Sequence, residues 1–207
     1  MARFLPQAFY YFNAYARLKE FGALDNKELV VSVPSGNFGN LTAGLFAREM
    51  GLPVCRFIAA NNSNDVVFEY LKSGKYAPRP SVETIANAMD VGAPSNFARI
   101  LDLYNYSHPT ISEVIKGYRY SDEEIRSVLK EVYATTGYLC DPHGACGFQA
   151  LREYLDENQV GVFLETAHPA KFKESVETII GAGEINIPSK LLEFMKGKKK
   201  NITLGKD

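Results

Sequence analysis

A strand–turn–helix–strand pattern in the first third of the chain constrains the fold more than any other feature. Residues 28–33 (Glu-Leu-Val-Val-Ser-Val) predict a buried strand, and residues 41–50 predict a helix that ends near Gly51. Residues 53–59 predict a second strand. Two strands joined by a helix at this spacing form a βαβ unit, whose strands are parallel. We therefore predict an α/β fold with a mainly parallel sheet.

Hydrophobic periodicity and capping signals predict further elements. Apolar residues recur at helical spacing from Phe4 to Leu18, and residues 121–124 (Ser-Asp-Glu-Glu) form a capping box. The polar turn at 61–65 can cap the next helix, whereas residues 74–95 predict irregular structure. A further strand is predicted at residues 159–164. Further helices are predicted at residues 66–72, 96–104, 121–136, 141–158, 172–180 and 188–196.

The composition is ordinary for a globular chain and excludes several classes of function. The 207 residues carry a formal net charge of -1, which gives no electrostatic basis for binding nucleic acid or an anionic membrane. No apolar stretch has the length of a membrane span. Cys55, Cys140 and Cys146 form no disulfide framework, which predicts reduced thiols and a cytoplasmic location. The histidines have no metal-ligand spacing, so we predict no metal site.

Residues 35–40 (Ser-Gly-Asn-Phe-Gly-Asn) carry the clearest binding signal. Gly36 and Gly39 allow a tight turn that directs consecutive backbone N–H groups toward one point. The N-terminus of the following helix adds partial positive charge, so the segment predicts a site for a phosphate dianion. Ser35, Asn37 and Asn40 can add polar contacts without adding charge. The alternative is a tight turn that binds no ligand.

Six segments, in order along the chain, resemble a single family. They are residues 2–12 (Ala-Arg-Phe-Leu-Pro-Gln-Ala-Phe-Tyr-Tyr-Phe), 33–44 (Val-Pro-Ser-Gly-Asn-Phe-Gly-Asn-Leu-Thr-Ala-Gly), 62–66 (Asn-Ser-Asn-Asp-Val), 88–96 (Ala-Met-Asp-Val-Gly-Ala-Pro-Ser-Asn), 141–145 (Asp-Pro-His-Gly-Ala) and 166–172 (Thr-Ala-His-Pro-Ala-Lys-Phe). Together they resemble the threonine synthases, pyridoxal-phosphate (PLP) enzymes of the tryptophan-synthase-β-like group, or fold type II. The resemblance implies a three-layer αβα fold like the large PLP-binding domain of that group.

The resemblance also implies a reaction and a cofactor. Threonine synthases convert O-phospho-L-homoserine and water to L-threonine and phosphate, with PLP as the electron sink. In the family, the lysine that forms the Schiff base with PLP lies in a Phe-Lys-Asp type of segment, upstream of all six segments. This chain contains no Phe-Lys-Asp, and Lys173, between Phe172 and Glu174, lies in the wrong region. We therefore expect no catalytic lysine in this chain, and no activity from the chain alone.

The same resemblance implies the residues that contact the cofactor. Thr166 matches the hydroxyl residue that faces the pyridine nitrogen, and it follows a predicted strand at the end where α/β proteins bind ligands. A neutral hydroxyl suits an unprotonated pyridine nitrogen. The alternative for Thr166 is a helix N-cap. The residues that match the phosphate loop, mainly through their backbone amides, are Ser35, Gly36, Asn37, Phe38, Gly39 and Asn40.

Other polar residues are open to two interpretations. His143 and His168 either line the cofactor pocket or cap helices, and His108 is predicted to lie in a loop. Lys171 is expected at the rim of the pocket or on the surface. A turn at residues 92–94 is surrounded by residues for which a structural role is favoured over binding of a substrate phosphate: Asp90, Ser95, Asn96 and Arg99.

The aromatic helix at the start of the sequence has no leader, which suggests either a piece of a longer enzyme or a buried N-terminal helix. We expect a PLP-phosphate-binding domain at residues 1–184 and a C-terminal helix with a basic tail at 185–207. Fold type II enzymes hold PLP between two domains, so loss of the N-terminal domain would expose apolar surface and favour a non-native dimer. The alternatives are another fold type II enzyme, a dehydratase or β-replacement enzyme, or a non-catalytic domain that binds PLP or phosphate.

Overall fold

The computed structural model describes residues 4–197. Within them the strands are β1 (Glu28–Pro34), β2 (Val54–Asn61), β3 (Ile115–Arg119) and β4 (Gln159–Phe163). The helices are α1 (Ala8–Glu20), α2 (Gly39–Glu49), α3 (Val66–Ser73), α4 (Phe97–Leu103), α5 (His108–Val114), α6 (Asp122–Thr136), α7 (Pro142–Tyr154), α8 (Lys173–Ile180) and α9 (Ser189–Met195). Short 3-10 turns lie at Leu5–Gln7, Asn87–Met89 and Pro169–Phe172.

The strands form one parallel sheet in the order β3-β2-β1-β4. Val31 of β1 pairs with Phe57 of β2 on one side and with Val162 of β4 on the other. From β1 the chain continues to β2 and β3 on one side, and it returns to add β4 on the other side. The order of the strands therefore reverses between β1 and β4. At such a switch point the loops that follow the two strands diverge and leave a crevice.

Successive residues of β1 point to opposite faces of the sheet, and both faces are covered by helices. Leu29, Val31 and Val33 belong to one buried cluster with residues of α1 to α5. Val30 belongs to a second cluster, with residues of α6 and α7. Burial on both sides explains why β1 is almost continuously apolar. The predicted three-layer αβα fold is confirmed.

Most predicted elements are present, with boundaries shifted by a few residues, but two elements were missed and one cap was wrong. His108 begins α5 rather than lying in a loop, and Ser107 caps that helix by accepting a hydrogen bond from the N–H of Thr110. Strand β3 follows α5 directly, with no turn to mark it. Asp65 does not cap α3, because its carboxylate forms ion pairs with Arg79 and Arg119.

The C-terminal part of the described chain includes the predicted last helix, α9. Ile185 packs with Phe172 and Val176 in a small third cluster. The proposed boundary at residue 184 stays a prediction, and residues 198–207, with most of the basic run, lie outside the described residues. Between residues 4 and 197, no helix has both the length and the apolar character to span a bilayer.

Candidate functional site

The turn from β1 to α2 is the first wall of the candidate site. Phe38, the residue before α2, has φ 61° and ψ 16°, a left-handed conformation that is uncommon outside glycine. Its side chain is buried, and its ring lies 6.1 Å from the ring of Phe97 in an edge-on arrangement. Burial of this aromatic ring offsets the backbone strain and holds the turn in a single shape.

The backbone of this turn presents a row of free donors. Among the described residues, no protein acceptor pairs with the N–H groups of residues 36 to 40, Gly36 through Asn40. The next two N–H groups are paired, since that of Leu41 binds the Asn40 side chain and that of Thr42 binds the carbonyl of Phe38. Consecutive unpaired N–H groups at the start of a helix favour an anion.

The side chains of the turn mainly hold its shape. The Ser35 hydroxyl is buried and donates to the carbonyl of Val33 at 2.7 Å. The Asn40 amide donates to the carbonyl of Pro34 at 3.0 Å. Asn37 is exposed, and its side-chain oxygen accepts from both the N–H and the hydroxyl of Ser95. Polar contacts to a ligand therefore come from the backbone and from the Asn37 amide nitrogen.

The second wall of the site follows β4. The N–H of Leu164 donates to the carbonyl of Ser32, which continues the β1–β4 pairing by one residue. Thr166 follows at the carboxyl end of the sheet and is exposed. The turn after β1 and the segment with Thr166 thus border the crevice at the switch point, and both line one cavity of about 800 Å³.

This larger cavity has a polar lining. Arg99 and Asn96 lie on its wall, and the Arg99 guanidinium donates to the Asn96 side-chain oxygen at 2.9 Å. Asn96 in turn donates to the carbonyl of Asn37 at 2.9 Å. A smaller cavity of about 190 Å³ borders the same turn and also reaches Thr166, His143 and Lys171. The crevice therefore carries cationic and amide groups beside the row of N–H donors.

Behind the crevice, Asp141 and His143 form a buried hydrogen-bonded pair. The Asp141 carboxylate caps α7 by accepting from the N–H groups of His143 and Gly144 at 2.6 and 3.1 Å. It also accepts from His143 Nδ1 at 2.7 Å and from the N–H of Ala167 at 3.1 Å. Burial opposes ionisation, but hydrogen bonds from His143 and Gly144 leave the pKa of Asp141 below its ordinary value.

Glu165, next to Thr166, is a second carboxyl group beside this pair. Its carboxyl end packs against Gly144 and Asp141, although the residue as a whole is exposed. Burial of that end and the negative charge of Asp141 raise the pKa of Glu165 to about 8. The two carboxyl groups therefore differ in acidity, and Asp141 is the more acidic of the two.

The other residues of interest lie in different surroundings. Asp90 accepts hydrogen bonds from Asn62, Asn64 and Thr84, which is consistent with the structural role that was favoured. His168 accepts from the N–H of Ala170 and caps the 3-10 turn that follows. Ser95, Asn96 and Arg99, by contrast, line the cavity. Glu165 was not among the residues predicted from the sequence, because no motif marks it.

The known proteins that resemble this chain include pyridoxal-phosphate enzymes and, among them, threonine synthases. Residues 11–166 match the family model described as pyridoxal-phosphate dependent enzyme, and residues 144–207 match the model described as threonine synthase, C-terminal. A threonine synthase of Haemophilus influenzae is 49% identical over 87% of this chain and 41% of that protein. The threonine synthase of Escherichia coli K12 is 45% identical over 93% of this chain and 44% of that protein. The chain therefore spans less than half the length of these relatives.

Solved structures agree with these matches. A crystal structure of the Escherichia coli threonine synthase has a TM-score of 0.80 at 43% identity and covers 90% of this chain and 42% of that one. A yeast threonine synthase has a TM-score of 0.85 at 29% identity, over 96% of this chain and 48% of that one. A threonine deaminase with a TM-score of 0.58 is only 15% identical over 78% of this chain and 57% of that one, so it shows a shared fold alone.

Proposed function

This chain belongs to the pyridoxal-phosphate-dependent enzyme family, and we propose that it forms the cofactor-phosphate part of a threonine synthase active site. The reaction of the whole enzyme would convert O-phospho-L-homoserine and water to L-threonine and phosphate. The matches to threonine synthases over about nine-tenths of the chain support this choice within the family.

The row of free N–H groups at residues 36 to 40 is the observation that carries the proposal. A phosphate group needs several donors directed to one point, and these N–H groups lack protein acceptors among the described residues. No acidic side chain lies in the turn to repel the anion. Among the described residues outside the turn and its helix, a Cβ built on Gly39 would come within 4 Å of the Asn96 side chain only, so the space beside the turn is open to a ligand. The residues present therefore fit the phosphate of PLP.

Each wall of the crevice then has a separate task. When bound, PLP supplies the electron sink for the substrate carbons. The turn at residues 36 to 40 would bind its phosphate, and the Thr166 hydroxyl would donate to its pyridine nitrogen. A neutral donor at this place leaves that nitrogen without a fixed positive charge. Arg99, on the wall of the larger cavity, is a cation suited to an anionic substrate such as a phosphate ester of an amino acid.

The lysine that binds the cofactor would come from the part of the protein that this chain lacks. Apolar side chains exposed on one region suit a contact with that part, and they are Leu5, Phe9, Tyr10 and Phe12. Phe9, at 74% exposure, is the clearest of them. The free cysteines agree with the reducing cytosol as the place where the enzyme works.

Reconstitution tests the proposed function directly. The 207-residue chain would be mixed with, or fused to, the preceding part of the Escherichia coli relative and supplied with PLP and O-phospho-L-homoserine. We expect L-threonine and phosphate in equal amounts from the reconstituted enzyme and neither from the chain alone. Deamination of L-threonine without action on O-phospho-L-homoserine would favour a dehydratase instead.

A variant at the turn gives this assay its control. Gly39→Val places a branched side chain in the open space beside the turn, where the protein offers little obstruction. The variant should fold, as followed by circular dichroism, but it should lose PLP binding and threonine formation. Full activity in a folded Gly39→Val enzyme would contradict the assignment of the phosphate site.

The exposed apolar region allows an independent test. Sizing chromatography of the chain alone over a hundredfold range of concentration should show association through this region. Phe9→Glu should reduce that association, whereas Phe21→Glu, at a similarly exposed aromatic residue beyond α1, should not. A chain that stays monomeric at every concentration would argue against a severed interface.

A further inference from the structure

Asp141 is hydrogen-bonded on both of its carboxylate oxygens, and only one of them serves as a helix cap. Oδ1 accepts from the N–H groups of His143 and Gly144 and from His143 Nδ1. Oδ2 accepts from the N–H of Ala167, the residue after Thr166. Asp141 is fully buried, so both oxygens depend on protein donors, and the Glu165 carboxyl group lies against them as well. The second oxygen therefore ties the segment of Thr166 to the start of α7.

His143 makes a second connection, in the opposite direction. Nε2 is an acceptor, so the ring carries its proton on Nδ1, which donates to the Asp141 carboxylate. Nε2 accepts from the N–H of Ala88 at 3.2 Å. Ala88 and Met89 lie directly against the turn, because a Cβ on Gly36 would come within 2.8 Å of the Ala88 carbonyl oxygen and of Met89 Cα. The ring of His143 thus supports the backbone on which Gly36 rests.

These contacts form one continuous chain between the two ends of the crevice, with Asp141 and His143 buried at its centre. It runs from Gly36 through Ala88 to His143, then through Asp141 to Ala167 and Thr166. We propose that Asp141 and His143 are positioning residues that set the separation between the phosphate-binding turn and the Thr166 hydroxyl. The inference rests on the proposed function, because that separation matters only if one ligand contacts both ends.

A purely structural cap does not account for this arrangement. Ser121 caps α6 with a single hydroxyl in an exposed capping box, and among the described residues its side-chain hydrogen bonds stay within residues 121–124. At α7 the carboxylate and the imidazole reach Ala167 and Ala88, which are 26 and 55 residues away in sequence from their partners. Ser121→Ala is therefore a matched control for the loss of a helix cap without loss of the connection.

The experiment measures the two ends separately with two probes and the 207-residue chain. Inorganic phosphate reports on the turn alone. 4′-Deoxypyridoxine 5′-phosphate reports on both ends, since it has the phosphate and the pyridine nitrogen but no aldehyde to react with lysines. Calorimetric titration would give the dissociation constant of each probe for wild type and variants, with circular dichroism to monitor folding.

Two variants of His143 test the roles of its two ring nitrogens separately. The amide of Gln reaches the position of Nε2 and can still accept from Ala88, whereas the amide of Asn reaches only the position of Nδ1. We expect His143→Asn to weaken phosphate binding about tenfold, as the loss of one hydrogen bond allows, and His143→Gln to stay within about twofold of wild type. Equal phosphate binding by both folded variants and wild type would overturn the role of His143.

Asp141→Asn tests the roles of the two carboxylate oxygens separately. The amide oxygen can keep the cap, but the amide nitrogen then faces the Ala167 N–H as a second donor. We expect binding of 4′-deoxypyridoxine 5′-phosphate to weaken about tenfold while phosphate binding stays at the wild-type level. Weakening of both probes by the same factor, or of neither, would contradict the proposed role for Asp141.

One further measurement, amide hydrogen exchange, tests the connection itself. Amide hydrogen exchange should accelerate at Ala88 in His143→Asn and at Ala167 in Asp141→Asn, and unchanged exchange at both would overturn the connection. If Asp141→Asn does not fold, the His143 pair carries the test. If the wild-type chain binds neither probe, the proposed cofactor site fails and the connection fails with it. If the wild-type chain binds both probes and the variants bind them equally well, only the proposed connection is ruled out.

Discussion

The two ends of the crevice are held in place in different ways. The turn at residues 36 to 40 is held from within, by the buried Phe38 ring and by side chains that bond to neighbouring carbonyls, and it also contacts Ser95, Asn96 and Ala88 from outside. Thr166 is exposed, and its segment is held from outside, through Leu164 to β1 and through Ala167 to Asp141. A phosphate needs a fixed set of backbone donors, whereas a single hydroxyl needs only its segment to be placed correctly. Substitutions at the two ends should therefore differ in how much they change stability and in which ligand contacts they change.

The largest effect is expected from Asp141→Ala, which removes the external support of the Thr166 end. Loss of the α7 cap and of the acceptor for buried donors should lower the free energy of unfolding by about 3 kcal/mol. Urea unfolding measures this change. Ser121→Ala at the exposed cap of α6 should lower it by only about 1 kcal/mol. Equal losses in the two variants would mean that Asp141 is no more than a helix cap.

Gly36→Ala should have the next largest effect, at the other end. The added methyl group would come within 2.8 Å of the Ala88 carbonyl oxygen and Met89 Cα. These are backbone atoms, which cannot change rotamer to make room as a side chain can. Overpacking of this kind costs about 2 kcal/mol. Phosphate binding should weaken with it, because the turn itself must move. Gly51 has a positive φ but open space around it. Gly51→Ala in the same unfolding assay therefore measures the cost of backbone strain without the cost of crowding.

Glu165 allows a test by pH at the Thr166 end. Its pKa rises from the ordinary 4.5 to about 8 in the folded chain, because burial and Asp141 favour the protonated form. The folded state then binds a proton that the unfolded state releases, so stability falls as pH increases from about 4.5 to 8. The exposure of the residue reduces this effect to roughly 1 kcal/mol. Glu165→Gln should remove that part of the pH dependence, and an unchanged pH profile would contradict it.

The two ends also differ in how far the sequence predicts them. The phosphate turn is a local feature, since its glycines, its strand and its helix are contiguous, and the predicted turn and its flanking elements are all present. The support of Thr166 comes from Asp141, which is remote in sequence, and no spacing reveals that contact. The same reason accounts for β3, a short edge strand with Lys116, Gly117 and Arg119 that becomes recognisable only beside β2. Helix α5 could have been found, because Ser107 followed by Pro109 is a start signal.

The smallest effect on stability, and the most specific effect on binding, should come from Thr166→Val. Thr166 is exposed, and its side chain has no hydrogen-bond partner among the described residues, so the free energy of unfolding should change by less than about 0.5 kcal/mol. Loss of one donor to a pyridine nitrogen should weaken binding of 4′-deoxypyridoxine 5′-phosphate about tenfold and leave inorganic phosphate unaffected. Thr166→Ser, which keeps the hydroxyl, should restore the affinity. A Val variant that binds both probes normally would leave the phosphate turn as the only part of the crevice that binds the cofactor. The contrast between the two ends would then reflect folding rather than function.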